Sequence, residues 1–168
     1  MDPLSAPDLH RINAAQGWLM LGAPAEAQSE LREISVGAEN RPEVLELQWQ
    51  AFAAQTHWTA AFAVAEVLIR LHPGTPGGWI NRSYAARRMP GGGLSRAFEL
   101  LRPAADQFPD EPSIPFNLAC YCAQENRLDD AWTWYRAARK VGNPAALRSQ
   151  ALADDDLRPL WPMISQLQ

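Results

Sequence analysis

A chain of 168 residues has room for one domain with a continuous core and too little for two large ones. Its 47% hydrophobic and 20% charged residues are ordinary globular usage and exclude disorder. A net charge of −4 and a pI near 5.3 exclude a surface built to neutralise phosphates, so no nucleic-acid partner is expected. The charge is uneven. Residues 1–75 hold nine acids against four arginines, and residues 76–168 ten acids against eleven bases. That balance makes the C-terminal half compatible with an acidic ligand, though a solvated mixed surface explains it more simply.

Met1-Asp2-Pro3-Leu4-Ser5 has neither a basic region nor an apolar run, so no secretory leader is read there. Ser5 suits a helix cap, with Pro7 in the first turn and an acid, Asp8, three residues on. Residues 43–55 and 58–71 carry apolar side chains at three-and-four spacing (Leu45, Trp49, Phe52, then Ala61, Ala65, Leu68). The polar joint Gln55-Thr56-His57 permits an antiparallel hairpin, and Pro73-Gly74 ends the second helix. A helix over 77–88 follows, then the connector Met89-Pro90-Gly91-Gly92-Gly93 and a helix that Pro103 should kink. Helices over 114–124 and 129–141 flank Glu125-Asn126-Arg127, where Asn126 suits a left-handed turn. Beyond it, Ala146, Leu147, Ala151, Leu152, Leu157, Leu160, Trp161 and Ile164 form further apolar stripes. The total is about nine helices with no β-rich alternation, and no segment reaches the ~20 apolar residues of a bilayer span, so no membrane partner is expected.

Alanine recurs at Ala27, Ala61, Ala97 and Ala131, at intervals of 34, 36 and 34. Pro73 and Pro109 stand twelve residues after two of them, Asn143-Pro144 falls there in the fourth unit, and Pro42 comes three residues late in the first. A small residue followed at fixed distance by a helix breaker means that one supersecondary unit is being rebuilt. The pattern resembles the tetratricopeptide repeat, whose period is about 34 residues. Leu45, Phe52, Ala61, Leu68 and Pro73 carry the likeness in the second unit. Trp79, Ala97, Leu101, Ala104 and Pro109 carry it in the third, which has two residues inserted between its helices. Leu118, Ala119, Asn126, Ala131, Tyr135 and Ala138 carry it in the fourth. The first unit is degenerate, and Trp49, Arg82 and Ser83 depart from the pattern. The segment from Ala151 to Leu157, following Asn117-Leu118-Ala119-Cys120-Tyr121, looks like the closing repeat of a small bacterial member. The resemblance implies an all-α, right-handed α-solenoid of about four helix hairpins, with units near 8–41, 42–75, 76–111 and 112–144. A cap over 145–168 makes residues 1–168 a single domain.

Residues that suggest chemistry have plainer readings. His10, His57 and His72 are dispersed and lie at no metal or triad spacing. Cys120 and Cys122 diverge by roughly 200° on a helix, which forbids a disulfide between them and leaves small apolar packing in a reduced, cytoplasmic protein. Asp154-Asp155-Asp156 could bind a hard cation, but caps a helix more simply. The glycine cluster lacks the Lys-Ser/Thr of a phosphate loop. No catalytic residue, metal site or cofactor is expected. The seven tryptophans read as mostly core, with one of Trp132 and Trp134 turned partly outward.

In the family that this sequence resembles, the first helix of each unit lines a concave channel. Carried over by position, that lining is Glu46 and Gln50, then Ile80, Asn81, Tyr84, Arg87 and Arg88, then Phe116, Asn117, Cys120 and Gln124. Such a set offers aromatic faces, amides and guanidiniums to an extended peptide with an acidic group. The basic clamp of family members that dock chaperone C-termini is not reproduced at Ile12, Gly77 and Ser113. The resemblance therefore implies a non-catalytic adaptor or scaffold that binds a peptide or protein segment. The alternative is a self-assembling module that homodimerises through an exposed solenoid end.

Overall fold

Proline sets where most of these helices begin. It stands in the first turn of the helices at Ala6–Met20 (α1), Pro24–Arg32 (α2) and Pro42–Ala54 (α3). The same holds at Pro76–Arg88 (α5), Pro144–Ala153 (α9) and Trp161–Ser165 (α10). A missing N–H costs nothing in a first turn, and the fixed φ is already helical. Trp58–Leu71 (α4), Leu94–Gln107 (α6), Ser113–Gln124 (α7), Leu128–Val141 (α8) and a 3-10 turn at Asp155–Leu160 complete the set. The computed structural model describes residues 3–167. Among them are ten α-helices, one 3-10 helix and no strand, one α-helix more than the sequence suggested. Met1 and Asp2, part of the segment read for a leader, lie outside the described residues, as does Gln168. No helix among the described residues is long and apolar enough to cross a membrane.

The chain forms two compact units, Met1–Pro90 and Gly91–Gln168. In the first, each helix packs on the next from α1 to α5, and α1 also touches α3. Asp8 ties its N-terminal end together. The carboxylate is only 5% exposed and accepts from the Ser5 hydroxyl at 2.6 Å, the Ser35 amide at 2.9 Å and the Ser35 hydroxyl at 2.9 Å. The Ser5 bond, then those from Ser35, hold its pKa below the ordinary carboxylate range. Ser5 also caps α1 as its spacing predicts, by accepting from the Asp8 amide.

In the second unit α7 is the hub, packed by α6, α8 and the 3-10 turn. The C-terminal turn and α10 fold back as a cap in which Leu157, Leu160 and Ile164 are all fully buried. Helix α6 runs through Pro103 without interruption.

The repeat phase is visible in burial: Ala27, Ala61, Ala97 and Ala131 are each 0% exposed. Helix axes approach most closely where side chains are smallest. Gly78 in α5 carries this further, since a Cβ there would lie 3.0 Å from the Ile69 side chain and 3.2 Å from the Ile69 amide. Three hairpin joints place a residue in the left-handed region at the same step: Gly22 (φ 71°), Thr56 (φ 57°) and Asn126 (φ 60°). The longer connection between α5 and α6 has two positive-φ glycines, Gly91 (φ 71°) and Gly93 (φ 135°). Sequence reading finds Asn126 and misses Thr56, because a β-branched residue is among the least suited to that conformation.

Candidate functional site

The expected channel residues of the first unit come from α3 and α5. Glu46 and Gln50 are exposed on α3, while Ile80, Asn81, Tyr84, Arg87 and Arg88 are partly exposed on α5. Their side chains approach at one end of this set: a Cβ on Gly77 would lie 3.4 Å from the Glu46 carboxylate. Further along, Tyr84 has its ring centroid 5.9 Å from that of Trp49 and 5.9 Å from that of Trp58.

Arg88, the last residue of α5, lays its guanidinium 3.5 Å from the Tyr84 ring centroid and 5.4 Å from that of Trp58. One of its nitrogens also donates to the Tyr84 carbonyl at 3.2 Å. A cation at a helix C-terminus is favoured by the helix dipole, and a stacked guanidinium gains about 0.5–2 kcal/mol from the rings. The result is a planar cation held in place by two aromatic faces. Tyr84 and Arg88 are both among the expected lining residues, and the structure stacks one on the other. Their partners Trp49 and Trp58 are not among those residues, because a tryptophan at helix-face spacing reads as core.

The core is in fact built from other residues. All seven tryptophans keep some exposure, and Trp18 keeps 38%. Tight crossings require alanine, and the most deeply buried rings are Tyr135, Tyr121 and Phe116. Trp132 and Trp134 are both half-buried, so the partial exposure expected of one is found in both. Trp132 leans on Tyr135, and Trp134 meets Phe98 edge-on with the Arg102 guanidinium above it at 5.5 Å.

In the second unit the expected lining lies along one stripe of α7. Phe116 and Cys120 are 3% exposed, Asn117 is half-buried and Gln124 is exposed. The chain's own C-terminal turn lies on that stripe. Cys120 donates its thiol proton to Asp154 at 3.7 Å, and the Gln124 amide donates to the Asp156 carbonyl at 3.0 Å. Asn117 is turned back on its helix, donating to the Ser113 carbonyl at 2.7 Å. Phe116 and Cys120 thus offer almost no surface to a ligand. The open part of the lining is in the first unit.

Burial pushes the Cys122 thiol up to about 11, so it carries no thiolate at neutral pH. Neither cysteine is in a disulfide. Cys120, Asp154 and Asp156 bring one ligand atom each to within 4.8 Å of one another, the only such cluster among the described residues. Capping accounts for it: Asp154 accepts from the Asp156 amide at 3.0 Å and from the Cys120 thiol. The acidic run is therefore a helix cap, the simpler of its two sequence readings. His72 meets the Asn40 carbonyl at 2.8 Å, and His57 sits by the Phe52 ring.

No family model matches the sequence, and no curated protein is significantly similar to it. Solved structures are similar in fold. A thermophilic TPR protein of Thermus thermophilus superposes with a TM-score of 0.73 at 16% identity, over 94% of this chain and 82% of that one. MamA from Desulfovibrio magneticus RS-1 gives 0.69 at 17% identity, over 98% of this chain and 97% of that one. A second MamA structure, labelled MSR-1, gives 0.61 at 13% identity, covering 78% and 74%. At these identities the likeness is one of architecture: the chain has a tetratricopeptide-like α-solenoid fold, formed by helix hairpins and closed by a C-terminal cap.

Proposed function

We propose that the protein is a non-catalytic interaction module that holds a peptide or protein segment against α3 and α5. Glu46, Gln50, Ile80, Asn81, Tyr84, Arg87 and Arg88 would face the ligand. One observation carries the reading: Arg88 stacked on Tyr84 beside Trp49 and Trp58, partly open to solvent. Aromatic residues and arginine dominate protein-binding hot spots because they supply area and hydrogen bonds at low entropic cost. A fixed guanidinium selects a carboxylate, so the ligand carries an acidic group. The same reading sets the protein in a bacterial cytoplasm. Its support is the bacterial source of the fold relatives and two cysteines whose helical spacing forbids their pairing.

The test is a peptide library probed with the wild-type chain, Arg88→Glu and Arg70→Glu. Arg70 is exposed in the last turn of α4 and serves as the control. Acid-containing peptides should be retained by wild type and Arg70→Glu and lost by Arg88→Glu, with melting temperatures nearly equal. Equal retention by all three would place binding elsewhere.

A second reading, self-association through the first hairpin, has its own support. Met20, Leu21 and Val36 are 82%, 76% and 83% exposed. Sedimentation over a wide concentration range separates the two, since the adaptor reading expects a constant mass.

A further inference from the structure

A cavity of about 590 Å³ lies beside the junction of α8 and α9, lined by Arg139, Asn143, Pro144, Ala145, Arg148, Ser149 and Leu167. No Asp or Glu is among the described residues that line it. The sequence around it is equally one-sided. Residues 131–153 contain Arg136, Arg139, Lys140 and Arg148 and no acid, in a chain whose net charge is −4. Local positive charge is therefore concentrated where the rest of the protein is acidic.

The cavity is built, not merely charged. Arg148 is fixed by donating to the carbonyls of Ile164 at 3.3 Å and Ser165 at 3.0 Å, so its guanidinium is held at the wall. Those acceptors are neutral, so they position the guanidinium without cancelling its charge. Arg139 contributes the second guanidinium. Asn143 spends its side-chain oxygen capping the amides of Ala145 and Ala146, which leaves its amide NH₂ as a donor at the rim. Ser149 adds an exposed hydroxyl. Between these polar groups Pro144, Ala145 and Leu167 supply apolar wall.

We infer that this cavity is a second binding site, which takes an acidic peptide segment whose carboxylates alternate with apolar side chains. Two arginines among the described lining residues favour negative charge, and their fork geometry matches a carboxylate. The apolar wall gives a peptide more than it gives a small inorganic anion, and the volume is that of a ligand several groups long. The site lies in the second unit and does not use Arg88, so it stands or falls independently of the surface on α3 and α5.

The experiment uses the full chain and three probes: an N-acetylated, C-amidated hexapeptide of Glu and Leu, its Gln-for-Glu counterpart, and inorganic phosphate. Titration at low salt should detect the acidic peptide, and binding should fall steeply as salt rises. Ser149→Glu puts a carboxylate at the rim of an exposed helix face without removing any buried group, and should weaken binding roughly tenfold or more. Arg139→Gln should do the same, while Arg70→Glu in α4 should bind like wild type. Ser149→Glu keeps the test decisive even where Arg139→Gln disturbs packing. The inference is overturned by equal binding of the Gln peptide, by wild-type affinity in Ser149→Glu, or by phosphate binding as tightly as the acidic peptide.

Discussion

Helices α5 and α7 each open a repeat in the sequence reading, yet one is open and the other is closed. In α7, nine of twelve residues are buried, from Ile114 to Ala123. In α5 only four of thirteen are, Gly78, Ser83, Ala85 and Ala86. The cause lies outside both helices. The 3-10 turn after α9 packs onto α7, where Asp154 and Asp156 meet Cys120 and Gln124. A repeat position therefore fixes where a side chain points, while accessibility depends on what the chain later places in front of it.

The closed region is the one to break first. Leu160 is 0% exposed in the cap, and Leu160→Ala should cost about 2–5 kcal/mol in chemical denaturation, the range for large-to-small changes in a packed core. It should also raise the reactivity of Cys120 toward a thiol reagent, because the covering turn is loosened. A variant with full stability and unreactive thiols would mean that the turn is a passive tail.

Overpacking comes next. Ala131→Leu, at a fully buried crossing, should lose about 1–3 kcal/mol, whereas Ala63→Leu on the exposed side of α4 should change little. Equal melting shifts would refute the repeat phase itself.

A smaller effect of opposite sign is expected at Thr56. Its φ of 57° suits glycine or asparagine, so Thr56→Gly should stabilise the first unit by about 1 kcal/mol. Destabilisation there would show that the hydroxyl or methyl makes a contact worth more than the backbone strain.

The smallest effect sharpens the N-terminal end. Hydrogen bonds from Ser5 and Ser35 lower the pKa of Asp8 in the folded chain. Its stabilisation is therefore present above the ordinary carboxylate pKa and is lost as pH falls through the lowered folded value. Urea denaturation against pH should show wild type falling toward Asp8→Asn below about pH 4. Parallel curves would contradict the assignment.

Much of this was legible in the sequence. Alanine spacing marks the repeat, proline marks the helix starts, and Ser5, Asn126 and Asp154 behave as their types predict at caps and joints. Repeat position put Tyr84 and Arg88 one turn apart on one helix, where they stack. Three things were hidden. Tryptophan spacing overstates burial, because hydrophobicity takes no account of the steric limit that reserves crossings for alanine. Thr56 was invisible because its conformation is imposed by the hairpin against its own preference. The cover over α7 depends on contacts between residues more than 30 apart, such as Gln124 with Asp156, which no local spacing encodes.

If the first unit presents the open binding face while the α7 stripe stays closed, the two should differ in solvent contact at every step of ligand capture. Oxidative footprinting of the full chain, with and without a peptide selected by the library, reads both surfaces at once. Strong labelling of Tyr84, Trp49 and Trp58 is expected in the unliganded chain, with protection by the peptide and low labelling of Phe116 and Cys120 throughout. Strong labelling of Phe116 without ligand, or peptide protection that leaves Tyr84 and Trp58 unchanged, would contradict it.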